Sequence, residues 1–237
     1  MFGLGTIINV GAILLGGIIG SLFGKFLKDS LQSAIVKSTG ICVMFIGVSG
    51  ALEKIMSIEN NSLVSGGTLM MICSIALGTL LGELIDIDGK IEKVGEWLKN
   101  KTKSTGDNTF VDGFVSASIT FCVGAMTVVG SIEDGLFGNY SILLVKSLLD
   151  FIIVIVLTSS LGKGCIFSAI PVAVLQGGFT VGAKLIEPYM TDMALNNLSL
   201  VGNILIFCVG LNLFKKNSIK VANMLPAILI AVVWAYF

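Results

Sequence analysis

An all-α, polytopic integral membrane protein with about eight transmembrane helices is the fold class this sequence predicts, and three observations carry it. Hydrophobic residues fill 54% of the 237 positions and charged residues 13%, against roughly 45–50% and about 25% in an ordinary soluble domain. Apolar runs near the roughly 20 residues needed to cross a bilayer recur along the whole chain. All fifteen basic residues are lysines, and they segregate to one face of such an arrangement, as the excess of positive charge in cytoplasmic loops requires.

The runs lie at 5–24, 34–52, 63–84, 110–130, 141–161, 164–186, 196–214 and 219–237. With eight spans one face collects Lys25, Lys28, Lys37, Lys90, Lys93, Lys99, Lys101, Lys103, Lys163, Lys215, Lys216 and Lys220, while the other holds Lys54 and Lys184. Dropping any one span scrambles this partition for every later loop, so an even number is favoured and both termini are predicted extracytoplasmic. The N-terminal run has no basic leader and no clear small-x-small cleavage site, so it is read as a retained first helix.

A single transmembrane domain over 1–237 follows, with helices 1–3 in 1–87, a cytoplasmic amphipathic linker in 88–109, helices 4–5 in 110–161 and helices 6–8 in 164–237. Within the linker, Ile87, Ile91, Val94, Trp97 and Leu98 recur at helical spacing among lysines and acids. That pattern suits a helix lying in the headgroup zone with Trp97 as its anchor.

The chain also resembles itself. "NVGAILLGGIIGSLFGKFL" from Asn9 aligns with "IPVAVLQGGFTVGAKLIEP" from Ile170, and the "x-x-G" steps ending at Gly47, Gly124 and Gly210 recur. Helices 1–3 matched to helices 6–8 would face opposite ways, the inverted arrangement of many secondary transporters. The glycines have two readings: close helix packing, or interruption of helices at Gly16–Gly17 and Gly177–Gly178 to free backbone groups at the midplane. Pro171 and Pro226 are predicted to remove backbone hydrogen bonds within their spans.

Charged side chains at a helix centre cost about 2.5–3.5 kcal/mol each on the insertion scale. Lys146 and Asp150 nevertheless sit i and i+4 on the fifth run, hence on one face about a turn apart. Ser147 lies between them, and "GSIEDG" just before supplies Ser131, Glu133 and Asp134 at what reads as an acidic outer mouth. The pair is either a self-satisfied ion pair that clamps the bundle or part of an ion or solute pathway. Asn9, Ser116, Ser118, Thr127, Ser168, Gln176, Asn203, Asn212 and Asn223 are further polar groups within spans. Each alone serves as interhelical glue, and together they could line a site.

The absence of histidine removes the usual proton shuttle and the commonest metal ligand, so neither an enzyme nor a metal site is expected, and no cofactor is indicated. The five cysteines form no C-x-x-C pair and read as small apolar fillers. No G-x-x-x-x-G-K-[ST] sequence occurs, so the chain itself does not hydrolyse nucleotide. The expected partners are the lipid bilayer and a small ion or solute, with a homodimer reasonable and no nucleic acid. The residues describe a transporter or channel, or alternatively a structural or regulatory membrane protein built around the ion pair.

These motifs are similar to those of the family catalogued as domain of unknown function 554, bacterial inner-membrane proteins. The resemblance runs from "GTIINVGAILLGG" at Gly5 through "GELIDIDG" at Gly82, "FVSAS" at Phe114, "FCVGAM" at Phe121, "GSIEDG" at Gly130, "KSLLD" at Lys146, "FSAIPV" at Phe167 and "QG" at Gln176, to "GLNL" at Gly210 and "VANMLPA" at Val221. It implies a membrane transport protein of the bacterial plasma membrane without naming a substrate.

Overall fold

The computed structural model describes residues 3–24, 29–59, 62–104, 108–122, 125–215 and 218–237. Lys25, Lys28 and Lys216 of the lysine partition, residues 105–107 of the linker and Gly124 lie outside the described residues.

Helices dominate, in the order α1 (Leu4–Gly24), α2 (Asp29–Ile55), α3 (Thr68–Ile85), α4 (Ile87–Lys101), α5 (Phe110–Cys122), α6 (Ala125–Phe137), α7 (Ser141–Leu161), α8 (Ala169–Val181), α9 (Ala183–Ile186), α10 (Asp192–Phe214) and α11 (Pro226–Trp234). Among the described residues six stretches are long and apolar enough to cross a bilayer: Leu4–Phe23, Ser33–Ile55, Thr68–Ile85, Ser141–Leu161, Lys163–Val181 and Asp192–Phe214. A seventh is added if α5 and α6, which differ in direction by 59°, form one bent span. The run at 219–237 gives only a short 3-10 turn, Val221–Met224, and the nine residues of α11. At 1.5 Å per residue α11 covers about 14 Å, half the depth of the hydrocarbon.

One feature was not expected. Strands β1 (Met56–Glu59) and β2 (Ser62–Ser65) pair antiparallel, Met56 opposite Ser65 and Glu59 opposite Ser62. Residues 63–65, assigned to the third span by hydropathy, therefore belong to a hairpin, and α3 starts at Thr68.

The chain divides into two compact units. The first comprises residues 1–39, 90–122 and 126–187, and its spine is α1 laid along α7. The close approach depends on glycine: a methyl on Gly16 would stand 2.6 Å from Val154 Cγ1 and 2.8 Å from the Phe151 carbonyl. Gly17 meets Ile166 in the 3-10 turn Lys163–Ser168 that precedes α8. Since Gly5 faces Leu143, Gly16 faces Val154 and Gly20 faces Thr158, α1 and α7 run the same way. α8 runs the other way, because Thr6 meets Thr180 at one end and Gly17 meets Ile166 at the other.

α4 has the predicted amphipathic pattern, with one difference from a helix merely lying in headgroups. Leu98 is buried with Phe110 and Phe114 in a cluster that Ile91, Val111, Val115 and Phe167 join. Val94 and Trp97 stay exposed, and Lys101 stands 4.6 Å over the Trp97 ring. Part of the apolar stripe is therefore spent on α5, and Trp97 is left to the interface.

The second unit comprises residues 40–89, 123–125 and 188–237. α3 packs on α11 through Gly78 against Ala227, and the later half of α2 packs on α10 through Gly40 against Gly210 and Gly47 against Asn203 and Phe207. α10 starts on a Thr191 cap, whose hydroxyl accepts the Ala194 N–H at 3.2 Å. Asn197 Nδ2 donates to the Ala231 carbonyl at 3.1 Å and ties α10 to α11.

Two expectations about helix interruptions are corrected. Among the described residues the helices carrying Gly16–Gly17 and Gly177–Gly178 are continuous. Pro171 and Pro226 lie in the first turns of α8 and α11, where the missing N–H falls on a donor that has no intrahelical acceptor in any case. They begin helices after 3-10 turns and do not kink them.

Large apolar side chains stand exposed on every long helix, among them Ile7, Phe45, Leu69, Leu148, Val174 and Met193. In water this surface would drive aggregation. Against lipid it is the expected outer face, and the backbone is closed within helices as hydrocarbon demands.

Candidate functional site

The polar groups of the first unit gather on three helices around α1. Lys146 and Asp150 on α7 are 6% and 5% exposed, and the ammonium binds Asp150 Oδ2 directly. The same oxygen accepts Asn9 Nδ2 from α1 at 3.0 Å. The intrahelical pair thus has a third partner from a neighbouring helix, and Asn9 is oriented by it: its amide nitrogen is committed, so its Oδ1 faces elsewhere. That Oδ1 is buried and without a hydrogen-bond partner among the described residues.

One turn towards the start of α1, the Gly5 N–H donates to Asp134 Oδ2 of α6 at 3.0 Å. First-turn amides have no intrahelical acceptor, and a carboxylate there is favoured by the helix dipole. Asp134 therefore caps α1 from another helix. It is fully buried, so it is an interior group and not part of an outer mouth. Glu133 is half-buried and accepts Asn139 Nδ2 at 2.9 Å, near the end of α6. Ser131, three residues before Asp134 and on the same face, is fully buried, with no hydrogen-bond partner for its hydroxyl among the described residues.

α8 supplies the third wall. Thr180 Oγ1 is 3.4 Å from Thr6 Oγ1 on α1 and donates to the Gln176 carbonyl at 2.9 Å. Gln176 lies one turn earlier on α8, and because α8 runs against α1 it reaches the level of Asn9. Its side chain is fully buried with neither amide atom hydrogen bonded among the described residues. A buried primary amide left entirely unpaired costs about 1–3 kcal/mol or more, and Gln176 makes no interhelical hydrogen bond among the described residues.

Ser147 and Ser168 are buried beside this region but are occupied locally. Ser147 Oγ donates to the Leu143 carbonyl and Ser168 Oγ to the Cys165 carbonyl, each at 2.6 Å. Thr127 donates to the Phe121 carbonyl at 3.4 Å, and Ser118 to the Phe114 carbonyl.

Asn212 and Asn223 belong to the second unit, where the fully buried Asn223 also leaves its Nδ2 without a hydrogen-bond partner among the described residues. Asn212 Oδ1 accepts the Ser218 and Ile219 N–H groups while its Nδ2 donates to the Ile219 carbonyl, which closes the turn after α10. Asn223 Oδ1 accepts the Asp88 N–H at 2.7 Å at the start of α4. Asn203 donates to the Ser199 carbonyl of its own helix at 2.8 Å.

Thr6 and Thr180 were missed by sequence reasoning. The signal was present, since Thr6 lies three residues before Asn9 and Thr180 four after Gln176, on the same helix faces.

Apolar helices with lipid-facing sides and a buried charged centre define a polytopic α-helical membrane protein. Its particular affiliation comes from comparison: a model of the family described as "Protein of unknown function (DUF554)" matches residues 4–236, and the chain belongs to that family. It is 31% identical over 226 residues to the uncharacterized membrane protein YdfK of Bacillus subtilis (strain 168), covering 95% of this chain and 93% of that one. It is 27% identical over 232 residues to the uncharacterized protein YqgA of Escherichia coli (strain K12), covering 96% and 94%. No solved structure matches.

Proposed function

We propose that this chain is a transporter or channel for a small ion or solute in the bacterial plasma membrane, with its pathway passing the polar centre on α1, α6, α7 and α8. The observation that supports it is the set of buried, unpartnered polar atoms on Asn9, Ser131, Asp134 and Gln176 beside the Lys146–Asp150 pair. Helices packed only for stability would pair such atoms or replace them, because each costs free energy in a low-dielectric interior. Eight crossings with both termini extracytoplasmic are part of this proposal, as the lysine partition favours. An inverted repeat is not required: Gly16 is packed against α7, whereas Gly177 and Gly178 have no neighbour within 4 Å.

The test is reconstitution of the purified chain in liposomes, with uptake measured for monovalent and divalent ions, amino acids and organic acids, and Asp150→Asn alongside. Uptake by wild type that the variant lacks is the expected result. Wild-type vesicles as tight as empty ones for the whole panel overturn it.

One observation favours a second reading, a non-transporting structural or regulatory protein. Lys146 and Asp150 touch directly and are almost wholly buried, as in a packing clamp. In that case wild-type vesicles are as tight as empty ones for every solute, and neutralising Lys146 and Asp150 together leaves a folded protein that has lost no measurable property.

A further inference from the structure

Within this centre the Lys146–Asp150 pair is neutral as a unit, which leaves Asp134 as the charge without a partner of opposite sign among the described residues. One of its oxygens is taken by the Gly5 amide and the other has no partner among the described residues. We propose that Asp134, with Asn9, Ser131 and Gln176, forms a binding site for a single monovalent alkali cation. The proposal rests on the transport reading above and names the ion at that site.

Position, chemistry and charge each favour such an ion. Position is the first: Ser131 and Asp134 share a face of α6, Asn9 lies one turn from the Gly5 amide that holds Asp134, and Gln176 reaches the level of Asn9 from α8. Gly135 of α6 abuts Thr180 of α8, so the faces carrying Ser131 and Gln176 adjoin.

Chemistry is the second. Asn9 Oδ1, Asp134 Oδ1, Ser131 Oγ, Gln176 Oε1 and Gln176 Nε2 all lack partners among the described residues, so four unpartnered oxygens stand against one unpartnered nitrogen. The Asn9 amide cannot turn its nitrogen inward without abandoning Asp150. Neutral oxygens around one carboxylate suit a hard monovalent ion, whereas calcium sites gather several carboxylates. No group of three or more histidine, cysteine or acidic side chains offers a transition-metal site among the described residues.

Charge is the third. With Asp150 cancelled by Lys146, the centre carries one net negative charge, and one monovalent cation brings it to neutrality where low dielectric penalises any surplus.

The experiment uses the full chain purified in detergent, with LiCl, NaCl or KCl exchanged against choline chloride at constant ionic strength. Melting temperature and calorimetric binding are the readouts. At least one alkali ion is expected to raise the melting temperature saturably while choline does not, with Asp134→Asn abolishing the response. Gln176→Leu is expected to weaken the half-saturating concentration about tenfold, the effect of losing one well-placed polar contact. Glu133→Gln, on the same helix but paired with Asn139, is expected to respond as wild type.

If Asp134→Asn does not fold, Gln176→Leu and Ser131→Ala carry the test. Indifference to the choice between alkali and choline chloride overturns the proposal, as does a wild-type response in both Asp134→Asn and Gln176→Leu. A saturable alkali response in a protein that moves nothing across vesicles keeps this site and removes transport. Uptake without that response does the reverse.

Discussion

The two units share a sequence frame and differ in what they bury. Gly5–Thr6, Gly16 and Gly20 of α1 stand 62 positions before Gly67–Thr68, Gly78 and Gly82 at and within α3. Ser168-x-x-Pro171 and Asn223-x-x-Pro226 are 55 apart, and each joins a 3-10 turn to a helix that begins at proline or two residues before it. Carried through the same registers, Asn9 matches Met71, Lys146 matches Val201, Asp150 matches Leu205 and Gln176 matches Ala231. Val201, Leu205 and Ala231 are fully buried, as are their polar counterparts or nearly so. The match is one of sequence register and not of packing, since Gly16 meets Val154 on α7 whereas Gly78 meets Ala227 on α11. The first unit nonetheless places charges where the second places apolar residues, which favours a task for them.

The largest expected effect comes from breaking the charged pair on one side only. Lys146→Met should destabilise by about 3–5 kcal/mol, as removing one partner of a buried pair does, and Lys146→Val with Asp150→Leu, which copies the second unit, should recover most of it. Denaturation by titrated detergent would read both. Failure of the double variant to recover would mean the first unit has no apolar solution, and the comparison would break there.

Next in size is the helix contact. Gly16→Ala drives a methyl into Val154 and the Phe151 carbonyl and should cost about 1–3 kcal/mol by overpacking. Gly177→Ala meets nothing within 4 Å and should be neutral or gain up to about 1 kcal/mol from helix propensity. Equal losses at the two positions would show that glycine serves these helices in the same way.

Gln176→Leu sharpens the comparison, because Ala231 holds the matching place. Deleting an unpaired buried amide should leave stability unchanged or raise it by about 1 kcal/mol while uptake in liposomes falls. A fall in both would make Gln176 a packing residue.

The smallest effect concerns Asp88, at the start of α4. Burial raises its carboxyl above the ordinary range, opposed by the Ala222 N–H and Lys220, with Asp86 and Glu83 adding to the rise. A raised folded-state value means the contribution is most favourable at low pH and is lost as pH climbs through that value. Asp88→Asn should flatten that part of the melting profile above about pH 4, the unperturbed aspartate range.

Much of this was legible in the sequence because hydrocarbon makes polar groups conspicuous. Lys146, Asp150, Asn9 and Gln176 stood out for that reason, and the structure brings them to neighbouring helix faces. Asp134 was legible as polar but misplaced: between Gly130 and Gly138 it reads as loop, whereas the helix α6 continues through it and turns it inward against α1. The bend between α5 and α6 was hidden because hydropathy is unbroken across the run at 110–130. The hairpin was hidden for the same reason, since Leu63 and Val64 extend the third apolar run without belonging to its helix. Asn212 shows the limit of composition, for an amide that bonds across a turn looks the same in sequence as one that lines a pathway.

The bond from the Gly5 amide to Asp134 spans 129 positions, and it bears on how the chain is made. As the ribosome delivers the nascent protein, α1 reaches lipid with its first turn uncapped and with its long neighbour α7 still unsynthesised. It must wait in that condition until Asp134, 129 positions later, has emerged. Assembly of the charged centre is therefore a late event of biogenesis, and a chain truncated before α7 should present α1 as a loose, readily degraded segment.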